Sequence, residues 1–392
     1  MSYDAPYKDL KILDISQGFA GPYCIGLFAL YGAQVTKVEP FEGDWIRGIG
    51  NSYGGHTPLS MVANPFKRSI ALNLKTDEAR AIVYDLAKDA DIFMESFRPG
   101  VAERLGVGFE AIKAVNKKII YGSVSGFGQS GPYAGRPGSD TVLQSFSGLV
   151  SVNAGNDGVP HRVGMLVPDT ITGVYAHQAI AAALAGRHDE EEGIHLDLSL
   201  AQSMAAFLAP KIIERHLAGG EPRILNAPAG SYATTDGYVG IALVKEDQYR
   251  QICEAMEIPE VADDPRFADF DLRAENFDAL KPIFEARFME RSTDEWVAVF
   301  REHDLLADRI YNCTDWLEDP HTKETNMAPE ITHPGAGTVP YPTVPGTQPR
   351  PQNGVAILPA IGEHGREVLG GLGYDSDAIE RIIDAGAMTL PT

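Results

Sequence analysis

Asp169 stands in the segment Leu166-Val-Pro-Asp-Thr-Ile-Thr-Gly173, behind a mostly apolar run (Met165 to Pro168) and ahead of a long Ala-rich helical pattern. A carboxylate near a helix N-terminus is favoured in its ionised form by the backbone dipole, while apolar neighbours leave it poorly solvated. An anion in that state is suited to attack an electrophilic carbon and carry a covalent intermediate. The same placement suits an N-cap, whose side chain accepts a backbone N–H. Local sequence does not separate nucleophile from cap.

Other residue types offer less. The ten histidines form no H-E-x-x-H, and His, Cys and carboxylates do not gather at ligand spacing, so no metal is expected. His177 falls mid-helix among alanines and reads as a hydrogen-bonded core residue. The acidic stretch from Asp263 to Asp278 lacks the central Gly of a calcium loop and reads as solvated helix ends and faces. Glu39 ends a second strand, where a dinucleotide-binding unit keeps an acid for a ribose hydroxyl. Yet the turn before it, Ser16-Gln-Gly-Phe-Ala-Gly21-Pro, lacks the glycine fingerprint, and Pro22 removes an amide. A literal G-x-G-x-x-G does occur from Gly126 to Gly131. Pro132, Gly135, Pro137 and Gly138 follow, so no helix begins there to face a pyrophosphate.

The elements that must position these residues alternate. Residues 9–15 read as a buried strand, Tyr23 to Tyr31 as a helix with Pro22 at its first position, and Gln34 to Glu39 as a strand again. Thr76, Asp77 and Glu78 open a helix with Ile82, Val83, Leu86 and Ala87 on one face. Strands follow at 91–95 and 118–125, with a helix over 101–116 between them. This alternation predicts an α/β fold with a parallel sheet under helices. A helix over 170–187, a strand over 194–200 and a helix over 201–217 come next. Residues 219–230 read as a linker, and 231–327 as a small α+β domain with a strand pair around Asp236-Gly237. Residues 328–351, rich in Pro and Gly, read as an extended connection, and 362–387 as helical. The large domain is therefore expected to comprise residues 1–218 and 352–392.

The 392 residues carry 33 basic and 54 acidic side chains, a net charge of −21. So acidic a surface opposes non-specific binding to nucleic acid or anionic membrane, though not a small polyanion met by locally gathered cations. The acidic excess lies largely in the second half, including Asp189 to Glu192, while spaced Lys and Arg punctuate the first 140 residues. No apolar run reaches the roughly 18 residues of a spanning helix. The N-terminal residues lack an apolar signal region, and the three cysteines lie far apart. A cytoplasmic protein is expected.

Ordered motifs run along almost the whole chain: Leu13-Asp14 to Gly21-Pro22, Tyr31 to Glu39, Gly43-Asp44 with Arg47, and Asn64 to Lys75. Ser96 to Gly100, Arg104-Leu-Gly106, Ser125 to Pro132, Asp140 with Gln144, and Pro168-Asp169 follow, then Tyr232 to Gly237, Asp264 to Phe267, Glu295-Trp296 and Gly362-Glu-His364. In these the sequence resembles the class III CoA-transferases, which include formyl-CoA transferase and carnitine CoA-transferase and are related to α-methylacyl-CoA racemase. The resemblance implies a Rossmann-like large domain, a small α+β domain, and ring-shaped subunits in an interlocked homodimer. It implies that Asp169 carries acyl groups as an aspartyl-acyl anhydride and CoA as an aspartyl-CoA thioester, with coenzyme A as substrate and no cofactor. Tetrahedral intermediates need donors, a role to which backbone such as Gly126 to Gly131 is suited.

Carried over by position, the CoA contacts fall on Phe19, Ala20, Leu72, Lys75, Ser96, Phe97, Arg98, Arg104 and Arg136, with Gln17, Ser139, Asp140 and Glu246 as further active-site positions. Each Arg also has the plain reading of a surface ion pair. Pro40 replaces a basic CoA contact of formyl-CoA transferase, and that enzyme's closing glycine run is not evident from Val239 to Glu246. In the related racemases a His-Asp pair falls at Ser139-Asp140. Serine there disfavours the alternative of two-base racemisation. A non-catalytic CoA-binding module is the other alternative.

Overall fold

The computed structural model describes residues 5–154, 159–187, 192–219, 224, 226–333, 335–347 and 358–391. The acidic residues 189–191, linker residues 220–223 and 225, and the expected domain junction at 351–352 lie outside the described residues. The chain divides into two compact units, residues 1–212 with 327–392, and residues 213–326.

The first unit is built on seven strands: β1 (Lys11–Asp14), β2 (Gln34–Glu39), β3 (Lys67–Leu72), β4 (Ile92–Glu95), β5 (Ile120–Ser125), β6 (Ile194–Ser199) and a short strand, Met388–Thr389. Their order is Met388–Thr389, β3, β2, β1, β4, β5, β6. All pair in parallel except the C-terminal strand, which runs antiparallel to β3. This is the doubly wound order, with its topological switch between β1 and β4. The helices on it are α1 (Ala20–Leu30), α2 (Pro58–Ala63), α3 (Asp77–Lys88), α4 (Val101–Arg104), α5 (Phe109–Val115), α6 (Asp140–Phe146), α7 (Leu149–Val152) and α8 (Val167–Gly186).

The strand pleat divides the core. Ile12 and Ile92 pack with Cys24, Ile25 and Phe28 of α1 and Ala176 and Ile180 of α8 on one face. Leu13 and Phe93 pack with Ile82 and Val83 of α3 and Ile112 of α5 on the other. Thr76 caps α3 as expected, its hydroxyl accepting the Ala79 N–H.

Several boundaries differ from the sequence reading. α1 starts at Ala20, so Pro22 is its third residue, still where the backbone N–H has no helical acceptor. α8 starts at Val167, which carries Asp169 into its first turn. The 201–217 segment is two helices, Leu200–Phe207 and Ala209–Ala218, and the C-terminal one is also two, Gly365–Gly371 and Ser376–Asp384. Residues 328–351 are not simply extended: Glu330–His333 and Gly337–Pro340 pair as an antiparallel hairpin.

In the second unit a three-stranded antiparallel sheet, Gly230–Ala233, Tyr238–Ala242 and Leu306–Arg309, packs on helices around Phe284, Phe288, Trp296 and Phe300. Among the described residues no helix is long and apolar enough to cross a membrane.

One buried ionic network fixes the turn from β1 into α1. The Lys67 ammonium donates to Asp14 Oδ2 (2.8 Å), to the Pro22 carbonyl (2.8 Å) and to Asn64 Oδ1 (3.0 Å), all out of water. Lys37 donates to the Ser16 carbonyl at 2.7 Å and pairs with Asp44 at 3.0 Å. Asp44 in turn accepts the Gly18 N–H at 2.8 Å. Asp14 also accepts from the backbone and hydroxyl of Ser16. Burial works to raise the Asp14 carboxyl, but Lys37 and Lys67 outweigh it and hold the group below its usual range. Burial draws Lys67 down to about 8 against the attraction of Asp14. Breaking one partner of such a cluster strands the other. Lys67→Met is therefore expected to cost about 3–5 kcal/mol in denaturant unfolding. Lys11→Ala, removing an exposed pair with Asp89, should cost less than about 1 kcal/mol. Equal small losses from the two would contradict this account.

Candidate active site

The network sets the backbone of residues 15–19 at the switch point, where doubly wound folds bind ligands beyond the strand ends. Gly18 is at φ +85°, and a Cβ there would meet the Trp45 ring at 2.4 Å, so only glycine passes beneath that side chain. Across the switch, the Ser96 hydroxyl accepts the Gln17 N–H at 2.8 Å and donates to the Gln17 carbonyl at 2.9 Å. The loops after β1 and β4 are thus tied through Gln17 and Ser96. Phe19 and Ala20, at the start of α1, are buried, and Phe19 packs with Tyr23 and Leu166.

A cleft of about 390 Å³ opens beyond the ends of β1, β2 and β3. Gln17, Leu72, Lys75 and Phe97 line it, with Pro40 and Phe41. Lys75, Arg98 and Arg104 are exposed, and so is Arg136, which lies over the Phe127 and Tyr133 rings. Among the described residues none of the four pairs with a carboxylate, so the surface ion-pair reading does not hold for the three Arg.

Asp169 sits half-buried at the third position of α8. The N-cap is Leu166, which makes no side-chain capping bond, so Asp169 is not the cap. Its carboxylate has no hydrogen-bond partner among the described residues. Desolvation, reinforced by the Asp140 charge, pushes it up to about 7. The sequence reading of a simply ionised acid is corrected here: burial and a like charge outweigh the helix dipole. α8 approaches α1 closely because Gly173, one turn on, has no side chain. A Cβ there would lie 2.8 Å from Tyr23 and 3.0 Å from the Ala20 carbonyl. Asp169, Leu166, Phe19 and Ala20 are thereby gathered at the N-terminal end of α1.

Asp140 begins α6 and is buried, with Oδ2 3.4 Å from the Asp169 N–H. Its Oδ1 accepts from Gln144 at 2.7 Å. The fully buried Gln144 amide also reaches the Val163 and Met165 carbonyls (3.2 and 2.9 Å) and accepts the Val163 N–H at 3.0 Å. Sequence reading left Gln144 without a role. Its signal was available, since Asp and Gln four apart on a helix can hydrogen-bond. Ser139 is exposed and caps nothing.

Other positions stand apart. Glu246 belongs to the second unit, where it opens a helix, pairs with the fully buried Arg273 at 2.6 Å and accepts the Phe270 N–H at 2.7 Å. The Gly126 to Gly131 loop is less available as a donor than expected. The Gly128 amide is held by Ser125 Oγ (3.0 Å) and the Gln129 amide by Asp197 (2.9 Å). Glu39 is bound by Arg47 through two bonds of 2.8 and 2.9 Å, which leaves it no ribose role. His177 packs against Phe28, Tyr7 and Tyr31, and its Nε2 has no hydrogen-bond partner, against the expectation of a bonded core histidine. Among the described residues no cluster of His, Cys, Asp and Glu is placed to hold a metal.

Fold and site together define a doubly wound α/β protein with a desolvated carboxylate at its switch point. The profile of CoA-transferase family III matches residues 7–365. An acyl-CoA transferase of Fusarium pseudograminearum is 32% identical over 96% of this chain and 87% of its own. The succinyl-CoA:glutarate CoA-transferase of Mus musculus is 31% identical over 98% of this chain and 90% of its own. The crystal structure of a CAIB/BAIF family protein from Brucella suis superposes with TM-score 0.81 at 30% identity, covering 94% of this chain and all of that one. The chain belongs to CoA-transferase family III, and it is an enzyme of that class.

Proposed function

We propose that the protein moves coenzyme A from an acyl-CoA donor to a carboxylic acid acceptor, with Asp169 as the covalent carrier. The observation that carries this is the Asp169 carboxylate, unbonded and desolvated beside the α1 turn. The cleft beyond β1–β3 and the uncommitted cations Lys75, Arg98, Arg104 and Arg136 support recognition of an anionic nucleotide. An Asp169 oxygen bonds to the thioester carbon, the C–S bond breaks, and CoA leaves as thiolate. The thiolate attacks the aspartyl carbon of the anhydride, releasing the donor acid and leaving an aspartyl-CoA thioester. The acceptor carboxylate opens that thioester to a second anhydride, whose acceptor acyl carbon the thiolate then takes. No proton need move, and each step exchanges similar bonds, so the sequence is close to thermoneutral.

A cytoplasmic homodimer of interlocked, ring-shaped subunits belongs to the same reading. Its support is a set of exposed apolar side chains around the site helices, Trp45, Ile49, Met165, Val174 and Phe207. Light scattering should return twice the 42.4 kDa chain mass, and the single mass would contradict it.

The mouse relative is named for succinyl-CoA and glutarate, so a succinyl donor and dicarboxylic acceptors open the assay panel. Acyl-CoA followed by hydroxylamine should leave a hydroxamate mass on the Asp169 peptide. Asp169→Asn should lose transfer by at least about 10³-fold while keeping CoA affinity, as nucleophile removal does. An active enzyme with an unmodified Asp169 peptide contradicts the mechanism.

A further inference from the structure

Gln144 is fully buried, yet every polar atom of its amide is used. It joins three things: the Asp140 carboxylate on its own helix, the Val163 backbone, and the Met165 carbonyl just ahead of α8. The same clamp that holds Asp140 thus also holds the segment that delivers Asp169. Asp140 uses its other oxygen toward the Asp169 backbone N–H at 3.4 Å. A neutral amide thereby holds the Asp140 carboxylate beside the Asp169 backbone, close enough for its charge to act on the Asp169 carboxylate.

We propose that Gln144 is a positioning residue, holding the Asp140 charge against Asp169 so that the repulsion between them is relieved when Asp169 is acylated. The inference rests on the reading of Asp169 as nucleophile. In the acylation step the Asp169 carboxylate forms a C–O bond to the thioester carbon and the C–S electron pair departs on sulfur. The negative charge thereby leaves Asp169 for the CoA thiolate, away from Asp140. A like charge beside the free carboxylate raises its energy and its basicity, and the neutral anhydride and thioester feel neither.

The groups facing Asp169 agree with this arrangement. From α6 comes Asp140, whose charge acts on the Asp169 carboxylate. Burial raises Asp140, and the bonds from Gln144 and the Asp169 N–H, followed by the Arg162 charge, only partly offset it. Asp169 itself feels first its burial and then Asp140. The pair titrates as a unit in which one ionised member disfavours the second.

The test uses two variants and two readouts. Asp140→Asn removes the charge but keeps an oxygen for Gln144. Gln144→Met keeps the length and removes the clamp. The first readout is a carboxyl-carbon NMR titration of aspartate-labelled enzyme, with Asp169 assigned by its absence in Asp169→Asn. The second is the pH profile of kcat/KM for the acyl-CoA donor. Wild-type Asp169 is expected to titrate near 7. Both variants should lower that midpoint by about one unit, the size of a nearby like charge's effect. The acid limb of the rate profile should move down with it while the alkaline plateau falls several-fold, so the profiles cross. A purely structural role lowers rates at every pH without moving the limb, and that result overturns the proposal. So does a wild-type Asp169 that titrates in the ordinary carboxylate range. A lowered midpoint in the variants, with no acyl transfer by the wild type, supports the pairing and contradicts the transferase reading instead.

Discussion

The ion pair between Asp14 and Lys67 is the constraint on which the site depends. Both side chains are shut away from water at the end of the central strand, and neither is tolerable there alone. Lys67 reaches from β3 to the Pro22 carbonyl in the first turn of α1, while Lys37 reaches from β2 to the Ser16 carbonyl. The β1–α1 turn is thereby held by cations from two neighbouring strands. Gln17, Phe19 and Ala20 inherit their positions from it. Through the close α1–α8 contact at Gly173, Asp169 inherits its position too.

Much of this was legible in the sequence. β2 was readable to the residue because the β-branched Val35, Thr36 and Val38 lie between the Gly32 turn and Pro40. α3 was readable because Thr76 and two acids mark its start. β3 was not, because its first half, Lys67-Arg-Ser69, is polar just where the buried network enters the sheet. The position of Asp169 was misjudged by one turn. Pro168 looks like a boundary, yet proline fits the second helical position without losing a bond, and α8 extends back to Val167. The Asp140–Gln144 clamp depends on a segment about twenty residues further along the chain, and no local pattern states that.

Charge is distributed with the same economy. A chain of net −21 keeps Lys75, Arg98, Arg104 and Arg136 without carboxylate partners among the described residues, beside or near the strand ends. The Asp169 carboxylate, by contrast, has no hydrogen-bond partner among the described residues and feels the charge of a second acid. Free cations suit the nucleotide's phosphates, and a high-energy carboxylate suits the thioester carbon.

Isotope transfer from the acceptor tests the covalent role of Asp169 most directly. When the acceptor's anhydride is opened by thiolate at the acceptor carbon, the bridging oxygen stays with the aspartate. Turnover with an acceptor labelled by ¹⁸O in its carboxylate should therefore add heavy oxygen to the Asp169 peptide, seen as a mass increase, and leave other acidic peptides unlabelled. Multiple turnovers with an unlabelled Asp169 peptide would contradict the account, because direct exchange between the substrates moves no oxygen onto the protein.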